Sequence, residues 1–218
     1  MIILTAGHTG PNSGAQCAAT HFDEGAENIW LRNRVAEILT NQYGLVVLVD
    51  DDTASLKLLT QTMQNAKCKM QNCPHHISSP LKKYNGESKN NCEFFAKAQD
   101  RWLCSVNCAF LIDIHFNAHS NPQARGTEAI VSDDATPLEL RFASRLAHTT
   151  SDALNIPLRS IKSESQTPHR RLGMLHLTPQ SIILEVCFCT SPEDVVAYRA
   201  NREKLAEELA HNIAELVK

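Results

Sequence analysis

A chain of 218 residues with 43% hydrophobic and 21% charged residues has the apolar content for one packed α/β domain, with or without an insertion. Its net charge of -3 and its lack of a Lys/Arg run exclude a nucleic-acid-binding face as the main function. No stretch approaches the roughly eighteen consecutive apolar residues that a membrane-spanning helix needs.

In chain order, Ile2, Ile3 and Leu4 begin a short buried strand that ends in Ala-Gly-His and delivers His8. The opening MIILTAGHTG has no basic start, long apolar stretch or cleavage site, so no signal peptide is expected and the chain is expected to be made in the cytoplasm. Gly, Ser, Asn and Thr over 9–22 predict a loop. Trp30, Leu31, Val35, Ile38 and Leu39 keep helical spacing over about 27–42. A β-rich run at 45–49 predicts a second strand, and Asp50, Asp51 and Asp52 place carboxylates at the positive end of a helix towards residue 65. Residues 66–92 break the pattern and read as a Cys-rich insertion or flap. A helix with Phe94, Phe95, Ala98, Trp102 and Leu103 follows. Strands are predicted at 109–114, delivering His115, at 129–131, and at 182–186, carrying Glu185. An amphipathic helix spans about 137–153. Ser191-Pro192 has the form of a cap followed by Pro at the first helical position, and the last helix is placed at about 202–216. Alternating strands and helices predict a twisted, mostly parallel sheet flanked by helices on both faces, in a single domain over 1–218.

Eight cysteines are many for this length, and five lie between 68 and 108. Cys68, Cys73, Cys92, Cys104 and Cys108, with His75 and His76, leave three readings open: a second, structural zinc site, a disulfide staple, or free thiols. Cys187 and Cys189 alternate along one strand and read as small core residues.

His8, His115 and Glu185 stand out by position. Ligand sites in α/β sheets form at the carboxyl ends of strands, where two histidines far apart in sequence converge. A histidine at a strand end is also a common loop residue, so spacing alone leaves a metal site one reading of two. A glutamate inside the apolar run IILEVCF demands more explanation, because unpaired charges are rarely buried.

LTAGHTG with SGA (13–15), DIHFNA (113–118), GTEA (126–129), LGML (172–175) and ILEVCFCTSPEDV (183–195) together resemble, in order and rough spacing over nearly the whole chain, the zinc-dependent N-acetylmuramoyl-L-alanine amidases of bacterial cell-wall and phage endolysin type. Asp113 stands where that family usually has Ser. The resemblance implies a Zn2+-dependent hydrolase of the amide between N-acetylmuramic acid and L-Ala of peptidoglycan, acting as a monomer on the wall after release or export. It implies His8 and His115 as metal ligands, with a third from the start of the first helix. Glu24 is preferred there over Glu27, the rival in DEGAENIWLRNRV. It implies Glu185 as general base and then general acid, with a pKa raised towards neutrality by its apolar surroundings. Asn117 and Arg171 are candidate substrate contacts. The alternatives are a metallohydrolase of the same fold acting on another amide, such as a stem-peptide bond, and a peptidoglycan-binding domain without turnover.

Overall fold

The structure, a computed structural model, describes residues 2–8, 13–50, 81–83 and 110–218, of which 81–83 are described as backbone. Among these, seven strands form one sheet in the order β5-β4-β1-β6-β9-β7-β8. The strands are β1 (Ile2–Ala6), β4 (Val47–Asp50), β5 (Leu81–Lys83), β6 (Phe110–Asn117), β7 (Thr127–Val131), β8 (Leu158–Ser163) and β9 (Gln180–Phe188). A separate two-residue pairing joins β2 (Gln16–Cys17) to β3 (Phe22–Asp23). β4, β1, β6 and β9 run parallel. β7 is antiparallel to β9, β8 follows it in parallel, and β5 is antiparallel to β4.

Helices α1 (Glu24–Asn41), α2 (Pro137–Leu154) and α3 (Pro192–Leu216) pack side by side on one face of the sheet. Strand alternation sorts the residues. Ile2 and Leu4 of β1, Ile112 and Ile114 of β6, and Ile182 and Leu184 of β9 face the helices in one apolar core. Thr5, Asp113, His115, Ile183, Glu185, Ile130 and Glu128 share the opposite face, as the register shows. There Ile130 and Ile183 pack with Leu172 and Leu175. One face of the sheet is thus the core, and the other carries the chemistry near the carboxyl ends of β6 and β9.

The mostly parallel sheet agrees with the sequence reading. Several boundaries do not. α1 begins at Glu24 because Asp23 caps it, its carboxylate accepting from the Ala26 N–H at 3.2 Å. β6 continues through Asn117, so His115 lies inside the strand. The last helix starts at Pro192 and runs unbroken, since Val195 and Tyr198 already bury the face that Leu205 and Leu209 continue. β8 is an edge strand not foreseen in the sequence. The insertion at 66–92, the helices expected before β6 and the cysteines they carry lie outside the described residues. Cys17, Cys187 and Cys189 are free thiols, and the last two are buried in the helix-side core. No helix among the described residues is long and apolar enough to cross a membrane.

One ion pair fixes how α1 meets the sheet. Arg32 is fully buried and donates from Nη1 to Asp50 Oδ1 at 2.6 Å and to the Asp50 carbonyl at 3.3 Å. Asp50 Oδ1 also accepts from the Ala6 N–H at 3.1 Å, at the end of β1 just before His8. Burial outweighs the nearby Arg32 guanidinium and pushes the Asp50 carboxyl up to about 6. Removing one partner strands a buried charge. Asp50→Ala is expected to lower unfolding stability by about 3–5 kcal/mol, read as a drop in the urea midpoint at unchanged slope.

Candidate metal and hydrolytic site

Three elements bring His8, Glu24 and His115 together. His8 follows β1, Glu24 is the first residue of α1, and His115 lies on β6. Their ligand-capable atoms lie within 4.8 Å of one another. His115 Nδ1 is 3.4 Å from Glu24 Oε1, and His8 Nε2 is 3.9 Å from the same oxygen. The two imidazole rings stand edge to face, with centroids 5.2 Å apart.

The surroundings hold each side chain in place. The His115 ring passes so close to Gly7 that a Cβ there would collide with it. Gly14, at φ +74°, leaves room for both Glu24 and His8; a Cβ would stand 2.6 Å from Glu24 Oε2 and 2.7 Å from the His8 ring. Glu24 Oε2 accepts from the Ala15 N–H at 2.7 Å, and Oε1 from the Phe116 N–H at 3.1 Å. His115 Nε2 is hydrogen-bonded to Asp113 Oδ2 at 3.1 Å, and Asp113 Oδ1 accepts from Thr5 Oγ1 at 2.6 Å. With Asp113 on Nε2, Nδ1 of His115 is the nitrogen turned towards Glu24, the one that would face a metal ion once its proton is displaced.

The electrostatics ask for a cation. Burial raises the Glu24 carboxyl, but the hydrogen bonds from His115 and the Ala15 and Phe116 amides outweigh it and leave its pKa below the usual range. Burial lowers His115, yet Asp113, Glu24 and Glu185 together carry it well above its ordinary value. Burial lowers His8, so that imidazole is neutral at neutral pH with nitrogen available to bind. Three carboxylates thus surround two imidazoles. A divalent ion between His8, Glu24 and His115 suits that donor set in charge and in atom type.

Glu185 pairs with His115 across β6 and β9. Burial pushes its carboxyl up to about 7, against the opposing pull of His115 and with further help from Glu24. Its Oε2 is enclosed and has no hydrogen-bond partner among the described residues. The groove above it has a volume of about 1040 Å³. One wall is the turn around residues 164–176, held by buried Glu164, which accepts from the Leu172 N–H at 2.6 Å and pairs with His176 Nε2 at 2.8 Å.

Glu27, the rival third ligand, points away. Its Oε2 accepts from Tyr198 Oη and Arg202 Nη1, both at 3.1 Å. Asn117 lines the groove, donating from Nδ2 to Glu128 Oε1 at 2.9 Å. Arg171 is exposed and is not brought into the groove, which its neighbour Leu172 and nearby His169 do line. Sequence reasoning missed four contributors. Asp113 read as a tolerated replacement for Ser, whereas it orients His115. Glu128 was visible in GTEA but had no role assigned. Arg159 and Lys162 sit on β8, whose LRSIKS pattern has too few apolar residues to signal a strand.

Over residues 2–218 the sequence matches a protein-family model described as N-acetylmuramoyl-L-alanine amidase. Among solved structures, an N-acetylmuramoyl-L-alanine amidase from Clostridium difficile 630 superposes with a TM-score of 0.63 at 18% identity, covering 99% of this chain and 93% of that one. An N-acetylmuramyl-L-alanine amidase from Mycobacterium smegmatis gives 0.64 at 16% identity, covering 99% and 95%. The catalytic domain of an endolysin targeting Clostridium difficile gives 0.55 at 22% identity, covering 99% and 95%. At these identities the structures establish the shared fold. No curated protein sequence matches significantly.

The raised Glu185 pKa sets a stability prediction for the metal-stripped protein. A carboxyl that ionises near 7 when folded and near 4.5 when unfolded adds stability that is full below about 4.5 and is lost as pH rises through 7. Glu185→Gln is expected to remove that part of the decline, so urea titrations at pH 5 and pH 8 differ less in the variant than in the parent. An identical pH dependence in both would show that Glu185 ionises normally.

Proposed function

The chain belongs to the N-acetylmuramoyl-L-alanine amidase family, and on that premise we propose that His8, Glu24 and His115 hold a catalytic zinc ion while Glu185 carries the proton. The family assignment makes the protein a hydrolase of the amide between N-acetylmuramic acid and L-Ala. The donor set supports zinc, because two imidazoles and one carboxylate form a usual three-ligand catalytic zinc set that leaves a position open. When bound there, zinc would supply Lewis acidity to the scissile carbonyl and make the attacking water easier to deprotonate.

The rest of the chemistry falls to the chain. Glu185 Oε2 takes the proton of the attacking water and returns it to the departing amide nitrogen. Burial pushes this carboxyl up in the metal-free chain, a direction that suits a group that must both take and return a proton. The enclosed, unpartnered Oε2 directly across from His115 is the single observation that carries this role. Asp113 keeps the His115 ring and its tautomer fixed throughout. Asn117 and Glu128, joined at 2.9 Å, form a polar wall for the substrate beyond Glu185.

Purified peptidoglycan digested with and without a chelator tests the reading. New L-Ala amino termini, found by mass spectrometry only when metal is present, are expected; cleavage between stem residues would overturn the substrate. Glu185→Gln is expected to lower kcat by roughly 10²–10⁴-fold with little change in zinc content. Asp113→Asn is expected to weaken zinc binding by about 10–100-fold in a titration against a competing chelator, with the fold retained by circular dichroism.

A further inference from the structure

On the far side of Glu185 from the metal ligands, the groove holds a pair of basic side chains that the proton transfer does not use. Glu128 is the direct register partner of Glu185 across β7 and β9 and is 3% exposed. Its Oε1 accepts from Asn117, while Oε2 takes both Arg159 Nε at 3.0 Å and Lys162 Nζ at 2.7 Å. Two basic side chains thus converge on one carboxylate oxygen, which leaves several of their N–H donors for another acceptor.

The fold places both cations deliberately. Thr127 pairs with Leu158 and Glu128 with Ser160, so Arg159 is the extra residue of a β-bulge. A bulge re-aims the side chain it carries. The Arg159 guanidinium lies over the Phe188 ring, 4.9 Å from its centroid, and Nη1 donates to the Arg125 carbonyl at 3.3 Å. Lys162 pairs with Ile130 and so faces the same side as Glu128. Both side chains line the groove and stay about a third exposed, at 37% for Arg159 and 30% for Lys162.

Sheet order supplies the direction. His8 follows β1 and His115 lies on β6, while Glu185 belongs to β9, Glu128 to β7 and the cations to β8. Neighbouring strands are about 4.8 Å apart, which puts the β8 backbone roughly 10 Å from that of β9, and the Arg159 and Lys162 side chains reach back from there to Glu128. Glu185 protonates the departing nitrogen, so the peptide lies on its side of the metal and the acyl group on the other. An extended peptide covers about 3.3–3.6 Å per residue, and the residue after L-Ala can bring its own carboxyl group to that distance.

We propose that Arg159 and Lys162 form a carboxylate subsite for the residue after L-Ala, so that the enzyme prefers a stem whose second residue keeps a free α-carboxylate over one in which it is a carboxamide. The inference rests on the amidase reading above. A carboxylate offers two charged acceptor oxygens, one for each cation; a carboxamide offers a single neutral oxygen and turns an NH2 donor towards the second cation.

Two muropeptides differ only at this group: one carries L-Ala-D-glutamate and the other L-Ala-D-isoglutamine. Their binding to Glu185→Gln by calorimetry, and their hydrolysis by the parent enzyme, test the subsite. The acid form is expected to bind at least about tenfold more tightly and to have a correspondingly lower KM. Lys162→Met, made in both backgrounds, is expected to bring the ratio to within about twofold of unity, and Lys162→Arg to keep it. A ratio near unity in the parent protein overturns the subsite. So does a Lys162→Met variant that weakens both ligands equally, because the cations would then serve only to hold Glu128. Cleavage at the lactyl amide with no acid preference sinks the subsite alone, whereas absence of cleavage at that bond sinks the amidase reading with it.

Discussion

The His115 imidazole is clamped between two buried carboxylates, Asp113 on Nε2 and Glu24 facing Nδ1. Everything else at the site depends on that clamp. It fixes which nitrogen faces His8 and Glu24, and it concentrates negative charge where a cation can sit. Buried carboxylates are costly unless hydrogen-bonded, so each has its own anchors. Thr5 donates to Asp113 across the β1–β6 pairing. The Ala15 and Phe116 amides donate to Glu24. The β1–β6 register, the start of α1 and the loop before it are therefore all tied to one ring.

The same strand alternation that builds the core also isolates the chemistry. On β6, Ile112, Ile114 and Phe116 join the helix-side core, while Asp113 and His115 take the other face. On β9, Leu184 and Val186 go to the core and Glu185 to the groove. A slip of one residue in either strand would exchange these sets. The apolar packing under α1, α2 and α3 thus enforces the register that brings His115 and Glu185 side by side. Asp194 reinforces it at the end of β9, accepting from the Phe188 N–H at 3.2 Å and the Gly126 N–H at 2.6 Å.

His8, His115 and Glu185 were legible because each follows or interrupts a short apolar run, and the family resemblance supplied their roles. Glu24 was legible only as a choice between two acids one turn apart. What separates them is tertiary: Tyr198 and Arg202, on the last helix, claim Glu27. Asp113 was hidden because a carboxylate beside a histidine announces nothing about which ring nitrogen it meets. Arg159 and Lys162 were hidden because an edge strand with one exposed rim needs few apolar residues and so leaves a faint pattern. The early start of α3 was half seen, in Ser191-Pro192, but its first turns are too polar to join by periodicity to residues 202–216.

Anomalous diffraction at the zinc edge, from crystals grown with one equivalent of zinc, tests the central claim most directly. The account predicts one strong site with His8, Glu24 and His115 at about 2.0–2.2 Å and Glu185 outside the coordination shell. A site bound through cysteine sulfur at about 2.3 Å, or one that takes Glu185 as a ligand in place of Glu24, would contradict it.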